Sequence, residues 1–156
     1  MPKSCCVTGH RDIPAERTDY VKDELHKKIL LAINDGYTHF ISGMAEGADL
    51  YFAAIIAELK TKNPGITLEA AIPYRKRMEA KDRTFQRLIK LCDSVHITAE
   101  TYSKGAYINR NMYMVGKSER VIAVYDGRES CGTEFTLRFA KTKDKEIYII
   151  PVEMKK

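Results

Sequence analysis

The sequence predicts an α/β fold: a three-layer, doubly wound, mostly parallel sheet of about six strands, Rossmann-like in its winding. Three observations predict it. Short continuous apolar runs alternate with helix-period segments along the whole chain, the pattern of strands buried on both faces. Glycine, proline or Asn-Asp-Gly punctuation closes the successive units. Two glycine-containing turns, Ser42-Gly43-Met44-Ala45-Glu46-Gly47 and Asp126 to Glu134, each follow an apolar run and open into a helical stretch. A strand that ends this way leaves backbone N–H groups and the positive end of a helix dipole facing an anion. No repeat or linker interrupts the plan, so residues 1–156 read as one domain.

Each element follows in order. Cys5-Cys6-Val7-Thr8 is a β-prone run closed by Gly9. From Pro14 to Asp35, Val21, Leu25, Ile29, Ala32 and Ile33 share one helical stripe, stopped by Asn34-Asp35-Gly36. His39-Phe40-Ile41-Ser42 is the second strand, and Ala48, Phe52, Ile55 and Leu59 then keep helical spacing. Thr67 to Ile72 is the third, closed by Pro73. The basic stretch after it reads as a helix carrying Phe85, Leu88 and Ile89 inward, with Glu79 and Arg83 paired at i,i+4. Ser94-Val95-His96-Ile97 is the fourth strand, and a helix through Arg110 to Gly116 precedes the fifth, Arg120 to Tyr125. The second glycine turn, another helix and the strand Glu146 to Ile150 complete the order. Right-handed crossovers wind such a chain into layers.

Lys and Arg number 26 against 21 Asp and Glu, a formal +5. That balance favours anionic ligands but is modest for a dedicated nucleic-acid binder. Much of the excess is local: Arg75, Lys76, Arg77, Lys81, Arg83, Arg87 and Lys90 face only Glu79 and Asp82. This is either a solvated face or a basic rim beside an anion site. No apolar run approaches the roughly 20 residues of a membrane helix, and the first residues carry no signal-like apolar region. Cys5, Cys6, Cys92 and Cys131 lack CxxC spacing, and His10, His26, His39 and His96 lack HxH or HxxxH spacing. No metal or cofactor is expected, and the chain reads as a reduced, cytoplasmic protein with no membrane partner and a homodimer left open.

Ligands of an open wound sheet collect outside the carboxyl ends of its strands, where three polar turns fall. In Thr8-Gly9-His10-Arg11, the Arg11 fork suits a phosphate. In the second turn, Gly43 and Ala45 admit a phosphate close to the backbone beside Ser42 and Met44, Gly47 allows tight packing, and Glu46 suits a ribose hydroxyl. The third turn, Asp126-Gly127 through Cys131-Gly132-Thr133-Glu134, offers N–H groups, a hydroxyl and a carboxylate. Asn109-Arg110-Asn111, ahead of the fifth strand, is either the polar start of a helix whose Met112 and Met114 enter the core or a segment that turns Arg110 and a flanking Asn back over the cleft toward phosphate or ribose. Gly116-Lys117-Ser118 is not a P-loop, because Asn111 stands where glycine is required and the tripeptide precedes a strand. The turn from Gly43 to Gly47 is the stronger candidate for phosphate, and that from Asp126 to Glu134 for chemistry.

Ser42 to Asp49, Asn109 to Met112, and Val121 to Gly127 with Gly132-Thr133-Glu134 resemble, in order, the YpsA-like family of bacterial and phage proteins. That family lies in the SLOG superfamily with the Lonely Guy phosphoribohydrolases and the DNA-processing protein DprA. The resemblance implies a Rossmann-like nucleotide-binding domain that binds or senses a nucleotide or an ADP-ribose- or NAD-like ligand. By the hydrolase pattern, Arg110 and Glu134 would be the catalytic pair in N-glycosidic cleavage of a nucleoside 5′-monophosphate. The pattern departs from the hydrolases at Arg128-Glu129 and Cys131, where those keep a Pro-Gly-Gly run. DprA-like binding of single-stranded DNA is a further alternative, with Tyr74 and Phe85 as the nearby aromatic residues.

Overall fold

The computed structural model describes residues 3–129 and 131–152. Six strands, β1 (Lys3–Gly9), β2 (Tyr37–Ser42), β3 (Thr67–Ile72), β4 (Ser94–Ile97), β5 (Arg120–Tyr125) and β6 (Glu146–Pro151), form one sheet in the order β4-β3-β2-β1-β5-β6. Every neighbouring pair is parallel. Helices α1 (Thr18–Asn34), α2 (Ala48–Lys60) and α3 (Arg83–Ile89) pack side by side on one face, and α4 (Ala106–Lys117) and α5 (Gly132–Thr142) on the other. This is the expected doubly wound α/β fold, with a sheet that is wholly parallel.

Adjacent residues of one strand feed opposite layers, as a strand covered on both faces requires. Cys5, Phe40, Leu68 and Ile122 pack with Leu25, Ile29, Phe52 and Phe85 under α1 to α3. Their neighbours Cys6, Ile41 and Val121 pack with Val115 and Ala140 under α4 and α5. Two elements differ from the sequence expectation. A 3-10 turn at Ala15–Arg17 precedes α1, a common way to begin a helix. The basic stretch is broken: a 3-10 turn at Arg75–Glu79 ends at Ala80, and Asp82 Oδ1 restarts the chain by accepting the N–H groups of Thr84 (2.8 Å) and Phe85 (3.4 Å). Glu79 and Arg83 therefore lie on separate elements, and the anticipated pair within one helix does not form.

At the amino end of the sheet, Arg120 is 3% exposed. Its guanidinium donates to Glu146 and, at 2.8 Å, to Asp35. It also sits 4.5 Å from the Tyr37 ring centroid and 4.4 Å from that of Tyr148. At the opposite end, the connections leaving β1 and β5 diverge to the two faces and open a crevice between them.

Candidate functional site

A cleft of about 340 Å³ occupies that crevice. β1 and the segment after it supply Thr8, Gly9, His10 and Arg11; α4 supplies Tyr107, Arg110 and Asn111; the start of α5 supplies Gly132 and Thr133. Ala45 and Asp49 close one side. The first and third predicted turns are thus brought together with Arg110. Of the second turn, only Ala45 reaches the cleft.

Arg110 is 4% exposed yet lines the cavity. Its Nη1 donates to the carbonyls of Gly43 (2.7 Å) and Ala71 (3.1 Å), and Nε donates to Asn111 Oδ1 (2.8 Å). All three acceptors are neutral. No carboxylate among the described residues lies within ion-pair distance of it. Burial pulls the guanidinium below its ordinary value; Asp49 opposes this, and the charges of Arg11 and Arg77 add to it. Arg11 and Arg110 both stand over the Tyr107 ring, at 5.0 and 5.6 Å from its centroid. Burial pushes the Tyr107 hydroxyl up, but a hydrogen bond to Tyr74 and the charges of Arg77 and Arg11 outweigh it and leave the hydroxyl below its usual range.

Asp49, in the first turn of α2, is the buried carboxylate of the cleft. Burial raises its carboxyl to about 6, against the pull of Arg110 and the Ala45 N–H, which donates to Oδ2 at 3.3 Å. Gly43 makes room for this arrangement. A Cβ there would lie 2.7 Å from Asp49 Oδ2 and 2.8 Å from Arg110 Cζ. Gly47, at φ +81°, faces the other way, and its Cβ would lie 2.4 Å from the His10 carbonyl oxygen. The remaining groups of the turn bind one another: Ser42 Oγ donates to Asp49 O (2.8 Å) and accepts from Met44 N (3.1 Å). Met44 is buried in the core, and Glu46 is exposed outside the cleft. These glycines thus admit protein atoms, and the Met44 and Ala45 N–H groups are already engaged.

His10 lies buried at the back of the cleft, its Nε2 3.1 Å from Asp126 N and 3.0 Å from Asp126 Oδ1. Burial, helped by the Arg128 charge, holds the imidazole below its ordinary value. The ring is therefore neutral at pH 7, and Nε2 accepts the Asp126 N–H; the Oδ1 contact is a close approach and not an ion pair. Asp126 is turned toward Arg128, whose Nε reaches Oδ2 at 2.9 Å. Arg128 also forks onto Asp12 at 3.2 and 3.3 Å, joining the segment after β5 to the segment after β1. Gly127 is exposed at φ +90° and Asn109 is exposed on α4; neither lines the cleft.

At the start of α5, Cys131 Sγ accepts the Glu134 N–H (3.4 Å) and Cys131 O that of Phe135 (3.0 Å). The Gly132 and Thr133 N–H groups have no acceptor among the described residues, and beyond its chain neighbours and its own helix backbone no described atom stands within 4 Å of where a Gly132 Cβ would be. This leaves the helix N-terminus open to an anion. Glu134 is turned along the helix to Arg138 (2.6 and 2.5 Å) and lies outside the cleft lining. Ser130, within the third predicted turn, lies outside the described residues. Sequence reasoning missed Asp49 and Tyr107 as cleft residues. Asp49 four positions after Ala45 is the signal that was available, since a carboxylate there can turn back on the preceding loop.

Strand order, parallel register and a cavity at the point where the winding reverses define a Rossmann-like protein. Within that class the chain belongs to the YspA SLOG family, whose sequence profile matches residues 5–155. A UPF0398 protein of Halalkalibacterium halodurans is 26% identical over 133 residues, covering 81% of this chain and 70% of that protein. The SPbeta prophage-derived protein YoqJ of Bacillus subtilis is 28% identical over 139 residues, covering 76% of this chain and 81% of YoqJ. Among solved structures, DNA processing protein A (DprA) of Streptococcus pneumoniae superposes with a TM-score of 0.70 at 19% identity. That match covers 99% of this chain, which spans only 52% of the pneumococcal protein. The Moco carrier protein of Chlamydomonas rheinhardtii gives a TM-score of 0.60 at 18% identity, over 98% of this chain and 78% of that protein. At these identities the likeness is one of fold.

Proposed function

We propose that the cleft binds the phosphate of a nucleotide or of an ADP-ribose- or NAD-like ligand. The observation that carries this reading is Arg110: a buried cation lining a cavity, hydrogen-bonded only to neutral acceptors, with Arg11 and Arg77 adding charge of the same sign. A phosphate would supply the counter-charge and accept from the open Gly132 and Thr133 N–H groups. The test is calorimetric titration with AMP, ADP-ribose and NAD, with retained ligand read by native mass spectrometry. Binding of at least one, weakened roughly 10- to 100-fold by Arg110→Met, is expected from the worth of charged hydrogen bonds. Absence of binding by all three sinks the reading.

Asp49 favours a second reading, hydrolysis of the N-glycosidic bond of a nucleoside monophosphate. It is a cleft carboxylate raised to about 6, in the range that general acid–base work needs, whereas Glu134 is held by Arg138. Release of free base that is lost in Asp49→Asn but kept in Glu134→Gln would establish it. Single-stranded DNA is named in the structure of the Helicobacter pylori DprA relative, which superposes at a TM-score of 0.70 and 17% identity. Here the basic stretch is partly engaged within the protein: Arg75 grips Glu100 and Arg77 lies 5.9 Å from the Phe85 ring centroid. Salt-sensitive oligonucleotide binding that competes with AMP would favour that alternative.

A further inference from the structure

The segments after β3 and β4 carry an aromatic wall that phosphate binding does not use. Tyr74 follows β3 and Tyr102 follows β4, and the two segments are fastened together. The Arg75 N–H donates to Ala99 O at 3.1 Å, and the Arg75 guanidinium holds Glu100 with two bonds of 2.7 and 2.9 Å. Tyr74 meets Tyr102 edge-on, with ring centroids 5.3 Å apart and planes at 81°. It meets Tyr107 at the same angle and 6.0 Å. Tyr107 is the ring on the cleft wall, beside Arg11 and Arg110. The series therefore begins at the arginines and runs outward to Tyr102, which is 63% exposed.

Edge-to-face packing steadies each ring while leaving the outermost ring's surface in water. A large ring left in water beside a cationic cleft has the properties of a stacking platform, because every nucleobase presents a π-face to match it. We infer that Tyr74 and Tyr102 form the subsite for the aromatic base of the ligand whose phosphate sits at Arg110. The ligand class is then a nucleotide with its base intact, and a bare sugar phosphate is a partial ligand. This rests on the phosphate reading of the cleft.

Affinities for AMP, GMP, CMP and UMP are to be measured beside that for ribose 5-phosphate, in the wild-type chain and in Tyr102→Ala, Tyr102→Phe and Tyr74→Leu. At least one nucleotide is expected to bind roughly 10-fold or more tightly than ribose 5-phosphate, consistent with the worth of one base–aromatic stack. Tyr102→Ala and Tyr74→Leu should lose most of that margin and Tyr102→Phe should keep it, with ribose 5-phosphate affinity unchanged in the two Tyr102 variants. Because Tyr102 is exposed, Tyr102→Ala should leave the thermal midpoint intact, which separates a lost platform from a lost fold. Ribose 5-phosphate binding with no nucleotide margin, or a margin that survives both Tyr102→Ala and Tyr74→Leu, overturns the subsite and leaves the phosphate cleft standing. Failure of every probe, ribose 5-phosphate included, overturns the phosphate reading and the subsite with it.

Discussion

Two arginines are buried to nearly the same degree at opposite ends of the sheet, and their surroundings are unlike. Arg120, 3% exposed at the amino end, is held between two tyrosine rings and paired with Asp35 and Glu146. Arg110, 4% exposed at the carboxyl end, has carbonyls and an amide for hydrogen-bond partners, with the Asp49 carboxyl and the Arg11 and Arg77 guanidiniums further off. Burying a cation is costly unless it is neutralised. Arg120 is neutralised by paired carboxylates of its own chain; Arg110 has Asp49 near it, beyond ion-pair distance and itself pushed toward the neutral form by burial. Equal burial thus goes with a paired cation in one place and, in the other, with a cation on a cavity wall that is unpaired among the described residues.

The comparison can be broken by mutation. The largest effect is expected at the base: Arg120→Met should cost about 3 kcal/mol, the scale of two charged hydrogen bonds lost together, and lower the thermal midpoint by roughly 6–12 °C. Nucleotide affinity at the far end should stay within about twofold, since sites this distant act independently. Arg110→Met should do the reverse, losing about 2 kcal/mol of binding free energy while stability measured by urea unfolding falls by less than it does in Arg120→Met. If both variants unfold alike, the contrast between the two arginines is wrong.

Gly43→Ala sharpens the contrast without replacing either arginine. Its methyl would press on Asp49 and Arg110, and overpacking of this kind costs about 1–3 kcal/mol. Stability and nucleotide affinity should fall together in that variant, whereas Arg110→Met separates them. The smallest effect is with pH. The Asp49 carboxyl is raised to about 6 from an ordinary 3.8, so the stabilisation gained by protonating it is fully present below 3.8 and is lost as pH rises through about 6. Between pH 7 and pH 5 the wild-type chain should gain about 1 kcal/mol relative to Asp49→Asn in urea unfolding. Sulfate, which does not titrate in this range, should bind several-fold more tightly at pH 5 than at pH 7.5, with the difference gone in Asp49→Asn. An unchanged ratio would place Asp49 outside the electrostatics of the cleft.

The fold was legible because each strand carries its own evidence: pairs such as Phe40-Ile41 and Val121-Ile122 send large apolar groups to both faces, which only a doubly covered sheet accommodates. Arg110 was legible from its place beside Asn111 ahead of the fifth strand. The glycine turn from Ser42 to Gly47 was not. A glycine reports that something approaches the backbone closely, but the sequence does not say whether that is a ligand or, as at Gly43 and Gly47, a side chain and a carbonyl of the same chain. Glu134 illustrates a competition that sequence leaves open: Arg138 one turn along is a ready partner, and helix phase decides between it and a ligand. The break in the basic stretch was written as Asp82 ahead of Thr84-Phe85, a capping signal outweighed by the regular run of charges.

The fork of Arg128 onto Asp12 joins the two lips of the crevice from its solvent side, with Asp12 66% exposed and Arg128 38% exposed. Contacts between charges so placed are worth only about 0–1 kcal/mol in water. The Asp12 arm of this contact is therefore one that thermal motion lifts easily, while the bonds from Arg128 to Asp126 and the sheet beneath stay intact. Amide hydrogen exchange at Arg128, whose N–H is held by the Asp126 side chain at 2.9 Å, should outpace that of Ile122 and Val124 by orders of magnitude, and equal protection would mean that the segment after β5 opens only with the sheet.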